Sequence, residues 1–418
     1  MLYERWQKVA SSQRHKMALL DLVTGRRWTF GEILAAGESI SLPHAPIVPV
    51  SGCGMDFLVP LLASWKNQLT ACPLEPGQAQ PDFTPPPGAI HLKSSSATGG
   101  SANWIAFEMN QLAADAGQIV KAMGLHPDQP NLGVISLSHS YGFSNLVLPL
   151  LLHGIPLVAA PAPLPEILRL AARLPFPICL PAVPVLWRTW HDAHVIPPNT
   201  SLAISAGAPL PLRLECEVFE RSGRKIHNFL GSSECGGIAY DSSPTPRTDA
   251  SLAGSTLPGV TASLDASGCL AISSAAVGMT YCPSPQPHLK NGCFQTSDLA
   301  VLQDGQVFLK GRIGDQINVA GRKVSPDAIE SLLREHPQVA DCLVFGAPSR
   351  DSRRTEDIVA LVVTSASEFS LAAFLTEKLP AWQIPRIWLF PSSMPANARG
   401  KTSRTLYRQL YLENRLPA

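Results

Sequence analysis

Lys401 lies in a glycine-bearing loop, Ala398-Arg399-Gly400-Lys401-Thr402, close to the C-terminus. A lysine in such a loop is a cation on a mobile tether, able to meet negative charge building up on a carboxylate or a phosphate. Three earlier segments hold groups that complement it. Ser94-Ser95-Ser96-Ala97-Thr98-Gly99-Gly100-Ser101 combines small hydroxyl side chains with glycines, so backbone N–H groups and hydroxyls together suit a polyphosphate. In Asn228-Phe229-Leu230-Gly231-Ser232-Ser233-Glu234 an acid follows two hydroxyls at the end of an expected strand, a place to hold Mg²⁺ between phosphates. Phe294-Gln295-Thr296-Ser297-Asp298-Leu299 and Gly311-Arg312-Ile313-Gly314-Asp315 supply an Asp that can accept both hydroxyls of a ribose and an Arg that can reach ribose or phosphate oxygens. Taken singly, these are a Ser/Gly linker, a turn with a solvated glutamate, surface charges and a solvated loop lysine.

The elements around them read as α/β. Residues 18–22 and 28–30 predict two short strands about the turn Thr24-Gly25-Arg26, with a helix from Gly31. Residues 57–65 form a compact apolar helix, residues 81–87 a proline-rich connector, and residues 109–123 a helix after the hydroxyl-rich run. From 132 to about 260, brief apolar runs at 133–137, 156–159, 178–180, 202–205 and 225–229 are separated by helix-length spacers, which predicts parallel strands. The last hundred residues differ. A hairpin turns at Asp304-Gly305, and Ser325-Pro326-Asp327 opens a helix with a hydroxyl cap, a proline and an acid in its first turn. Strands at 339–345, 358–363 and 386–390 and a helix at 370–378 complete a small α+β unit, with a boundary near 312–315.

Composition narrows the function further. The 418 residues are too many for one ordinary core and predict two or more lobes. Lys and Arg number 33 against 32 Asp and Glu, a balance that offers no field for nucleic acid. Nine scattered cysteines without a CxxC pair argue against a disulfide framework or structural zinc and for a reducing compartment. The charged N-terminal stretch does not read as a signal peptide, and the most apolar run, 146–160, is too short to span a bilayer. A cytoplasmic enzyme is expected.

In order and spacing the four segments resemble the adenylate-forming superfamily, the AMP-dependent synthetases and ligases that include acyl-CoA synthetases, aryl-CoA ligases, luciferases and peptide-synthetase adenylation domains. Ser205-Ala206-Gly207-Ala208-Pro209-Leu210 is similar to that family's glycine-rich turn beside adenine, and His139 in Leu137-Ser138-His139-Ser140-Tyr141-Gly142 to its histidine near the acyl pocket. The resemblance implies a large N-terminal lobe of sheets with packed helices, residues 1–311, and a mobile C-terminal lobe, 312–418, turning near Gly314. It implies that Ser94, Ser95, Thr98 and Gly99 hold the β- and γ-phosphates and that Gly207, Ala208 and Pro209 border adenine. Ser233 would touch the α-phosphate, Glu234 hold Mg²⁺, and Asp298 bind ribose beside Arg312. Catalysis would rest on Lys401, Glu234 and His139, with Tyr141, Cys235, Gly236 and Gly237 at the acid pocket. The implied reaction joins a small carboxylic acid to AMP from ATP. The acyl group then passes to the thiol of coenzyme A or of the phosphopantetheine on an acyl carrier protein, once the segment around Val319-Ala320-Gly321 has rotated in. No buried Asp suggests itself as partner for a substrate amino group, so an aryl or fatty acid is expected over an amino acid.

The chain departs from the family pattern at Ser96, Ser101 and Ala102, at Leu230 for an adenine-stacking Tyr, at Ser297 and at Gly314. Ala102 replaces a phosphate-contacting lysine, a loss on the scale of one charged hydrogen bond, about 1–3 kcal/mol. Two other readings are open to the same residues. One is a weakened homologue that binds nucleotide or acyl-adenylate without turnover. The other is a serine hydrolase using Ser140 in an elbow-like Ser138-His139-Ser140-Tyr141-Gly142, with Asp298 and His336 as partners.

Overall fold

The computed structural model describes residues 2–42, 45–95, 103–349, 351, 355–394 and 403–416. Thr98, Gly99 and Lys401 lie outside these residues.

The parallel strands form because they are apolar on both faces. Along Met17–Asp21, Leu157–Ala159, Ile178–Ala182 and Thr200–Ser205, alternate residues enter different cores: Leu19, Leu157, Cys179 and Ile204 one, Leu20, Val158, Leu180 and Ala203 the other. Trp187, Trp190 and Leu214 cover the second face, and Trp6, Leu61, Ile119 and Leu151 cover the first. The run continues through Ile226–Ser232 into antiparallel strands, giving a sheet of fourteen strands among the described residues.

A second sheet orders Thr280–Cys282, Asn103–Phe107, His91–Ser95, Thr70–Pro73 and Ile47–Val50. Its Ala71 and Ile105 join the same core as Leu19 and Ile204, so the helices lie between two sheets. The architecture is α/β, large sheets with packed helices followed by a smaller α+β part. In that smaller part Val339–Pro348, Glu356–Thr364 and Ile387–Leu389 form a three-stranded sheet over the helices Pro326–Glu335 and Glu368–Thr376, with a core of its own. A turn at Ile313–Asp315 connects the two parts, and Arg213 bridges them by donating to the Pro337 carbonyl at 2.9 Å.

Local signals behave as their chemistry requires. Ser325 caps Pro326–Glu335, and both Asp304 and Gly305 take positive φ in the hairpin turn. The helix expected from Gly31 begins at Phe30, because Thr29 and Glu32 close a capping box. One expectation needs correction: the strand placed at 133–137 is Asn131–Gly133, and residues 134–138 turn away from the sheet toward His139. Packing explains the turn, since the Ser136 carbonyl oxygen sits where a methyl on Gly142 would be, at 1.9 Å. No described helix is long and apolar enough to cross a membrane.

Candidate adenylate-forming site

Four hydroxyl and carboxyl groups from distant segments meet at the edge between the two sheets. Ser94 and Ser95 end the strand His91–Ser95 and are buried. The Ser233 hydroxyl donates to the Ser94 carbonyl at 3.2 Å and accepts from the Ser140 hydroxyl at 2.8 Å. Glu234 is the next residue, and its Oε1 accepts from the Tyr281 hydroxyl at 2.9 Å. Burial, reinforced by that carboxylate, pushes the Tyr281 phenol well above its ordinary range, so it stays a donor.

The turn that presents Glu234 is pinned by its neighbours. The Ser232 hydroxyl accepts from the Glu234 N–H at 3.2 Å and lies 3.2 Å from the Cys235 sulfur. Burial pushes the Cys235 thiol up to about 12, and the side chain belongs to the core. Gly236 has φ near +70°, and a methyl there would fall 2.1 Å from Asp115 Oδ1; one on Gly237 would fall 2.5 Å from Leu257. These glycines are therefore backed by filled space.

His139 caps the short helix Ser140–Gly142, its Nδ1 accepting from the Tyr141 N–H at 3.4 Å. Tyr141 reaches the Ala182 carbonyl and packs at 6.2 Å on Phe229. Gly207, with φ near +87°, turns the chain after Thr200–Ser205 toward Ala208 and Pro209. Arg247 holds the chain just beyond that turn, donating to the Leu210 carbonyl at 2.8 Å and to Glu215 at 2.9 Å. Asp298 and Arg312 face each other across their hairpin and pair at 2.8 Å, the arginine largely exposed. Gly314 lies in the connecting turn.

Residues 98–279 match the AMP-binding enzyme family and residues 328–401 the AMP-binding enzyme C-terminal domain, together more than half of the chain. The chain belongs to the AMP-binding, adenylate-forming superfamily. An oxalate–CoA ligase of Arabidopsis thaliana is 33% identical over 29% of this chain and 24% of its own length. A fatty acid–[acyl-carrier-protein] ligase of Streptomyces coeruleorubidus is 38% identical over 29% of this chain and 24% of its own. Such matches span a quarter to a half of the curated relatives' lengths. The fold extends over the whole chain: ATP-bound MatB from Rhodopseudomonas palustris superposes with a TM-score of 0.86, at 18% identity and 100% of both chains. An anthranilate CoA ligase in complex with anthranoyl-AMP does so at 0.86, with 17% identity over 99% of this chain and 98% of the other.

The sequence reading missed a buried ionic group under the site. Lys93, one residue before Ser94, lies 3.3 Å from Asp115 Oδ2 and 3.0 Å from the Ser144 hydroxyl, which itself donates to Asp115 at 2.6 Å. Asp115 Oδ1 accepts from the Gly237 N–H at 3.2 Å. A buried Asp therefore exists, contrary to the sequence reading, but lysine, serine and backbone already engage it. The signal was an acid on the apolar stripe of Leu112, Ala116 and Ile119. The hydrolase grouping does not assemble: Ser140 donates to Ser233, Asp298 pairs with Arg312, and His336 packs edge-on against Phe374.

Proposed function

We propose that this chain uses ATP to convert a carboxylic acid into an acyl-adenylate with release of pyrophosphate, then passes the acyl group to a thiol of coenzyme A or a carrier protein's phosphopantetheine. The meeting of Ser140, Ser233 and Glu234 at the Ser94 carbonyl carries the proposal, because hydroxyls and a carboxylate at one point suit phosphates and their cation. Ser94, Ser95, Thr98 and Gly99 hold the outer phosphates; Gly207, Ala208 and Pro209 flank adenine; Asp298 takes the ribose hydroxyls, assisted by Arg312. Ser233 breaks its bond to the Ser94 carbonyl to donate to the α-phosphate.

Glu234 offers a hard oxygen ligand suited to Mg²⁺. The ion usually keeps several waters and binds through one or two carboxylates and the phosphates of its ligand, so a single glutamate suffices on the protein's side. Bound Mg²⁺ supplies positive charge that offsets the phosphates. Lys401 contacts the acid's carboxylate and the α-phosphate, so two anions can approach in line. His139 and Tyr141 border the acid, with Cys235, Gly236 and Gly237 behind it. Asp115 is neutralised by Lys93, which favours an aryl or fatty acyl group over an amino acid.

The test is pyrophosphate release over aryl, short, medium and long acids, with and without coenzyme A. Acid-dependent release is expected, amplified by the thiol when coenzyme A is the acceptor. Calorimetric binding of ATP with no release from any acid would favour a nucleotide-binding homologue instead.

A further inference from the structure

Glu234 is held by more than its own turn. Its backbone N–H donates to Ser232, its carbonyl accepts from the Gly278 N–H at 2.8 Å, and its Oε1 accepts from the Tyr281 hydroxyl at 2.9 Å. Two of these three ties come from a single segment more than forty residues away in sequence. That segment is anchored: Thr280–Cys282 pairs with Asn103–Phe107, placing Tyr281 opposite Ile105, and a methyl on Gly278 would sit 2.6 Å from the Ile105 side chain. The next strand of the same sheet is His91–Ser95, so one sheet carries both Ser94 and the group that grips Glu234. The Tyr281 ring is buried and tilted against His288 at 5.2 Å, so its hydroxyl cannot swing far.

A carboxylate with one oxygen fixed in this way has a defined second oxygen. Oε2 of Glu234 has no partner among the described residues. We propose that Tyr281 is a positioning residue for metal-linked nucleotide binding: its hydroxyl fixes Oε1 of Glu234 and leaves Oε2 for a divalent cation carried by the phosphates. The inference rests on the reading of Glu234 as the metal-holding group. Partners that orient a metal ligand typically change affinity by about 10–100-fold when removed.

The experiment is calorimetric ATP binding, in EDTA and in Mn²⁺, by the full chain and by Tyr281→Phe, which keeps the ring. With Mn²⁺ the substitution should weaken binding about tenfold; in EDTA it should leave binding unchanged. In a Glu234→Gln background the same substitution should add nothing. Equal tightening by Mn²⁺ with and without the hydroxyl would overturn the proposal, and so would an equal loss in EDTA, the mark of a merely structural contact. Failure of Mn²⁺ to tighten ATP binding by the unaltered chain would overturn the metal role of Glu234, and the tyrosine's role with it. Acid-dependent pyrophosphate release by the unaltered chain, measured separately, tells failure of the tyrosine's role from failure of the proposed function.

Discussion

Single residues beneath the site carry testable energy. Lys93 and Asp115 are 3% and 1% exposed, and a buried pair is costly to break on one side only. Asp115→Asn should therefore destabilise the fold by about 3–5 kcal/mol in urea unfolding, and Lys93→Met combined with Asp115→Asn should recover most of it. His91 gives a pH dependence. Burial, then the Lys93 charge, holds its imidazole well below the usual histidine value, both ring nitrogens lack partners among the described residues, and the ring stacks on Phe143 at 4.0 Å. Burial, then Arg5, likewise lowers His153 to about 4. Both are neutral in the fold and take up protons once unfolded. Their contribution is thus fully present above about pH 6.5 and is lost as pH falls from there toward 4. The urea midpoint should fall between pH 7 and pH 5, and His91→Leu should flatten that slope. The motif residues Ser94, Ser233, Glu234 and Asp298 were legible because chemistry restricts their types. Lys93, Asp115 and Tyr281 were not, because their role comes from long-range packing: Tyr281 lies forty-seven positions from Glu234.

At the scale of elements, periodicity identified the helices at 55–66 and 109–123 and most of the parallel strands, since burial on both faces demands unbroken apolar runs. It failed at 133–137, where an apolar run leaves the sheet to let Ser136 pack on Gly142. That turn aims Ser140 at Ser233 and leads into the π-helix Phe143–Val147, a geometry no propensity encodes. Gly142→Ala should force the turn apart. We expect a loss of about 1–3 kcal/mol in stability and a drop in adenylation beyond what lower folded population explains, measured by unfolding and turnover on the same preparation. Retained turnover would show that this turn does not position the site.

For the whole molecule, the change to the small α+β unit was readable in the capped helix and the strands that follow it, whereas the hairpin before it belongs to the large sheet. How the parts meet was not, since Arg213 and the Pro337 carbonyl carry no motif. Gly314 occupies the connecting turn, where a proline fits the first turn of a helix but removes backbone freedom. Gly314→Pro should leave acyl-adenylate formation intact and slow thioester formation, seen by comparing the two half-reactions.

The central claim is that Lys401 completes a site already outlined by Ser94, Ser233, Glu234 and Asp298. With position 102 an alanine, the proposed site leaves Lys401 more of the phosphate charge to offset than a second loop lysine would. Carboxylate-dependent exchange of labelled pyrophosphate into ATP tests this most directly. The account predicts exchange with at least one aryl or fatty acid and a fall of about 10²-fold or more in Lys401→Ala, with unfolding unchanged. No exchange across the acid panel, or equal exchange in Lys401→Ala, would contradict it.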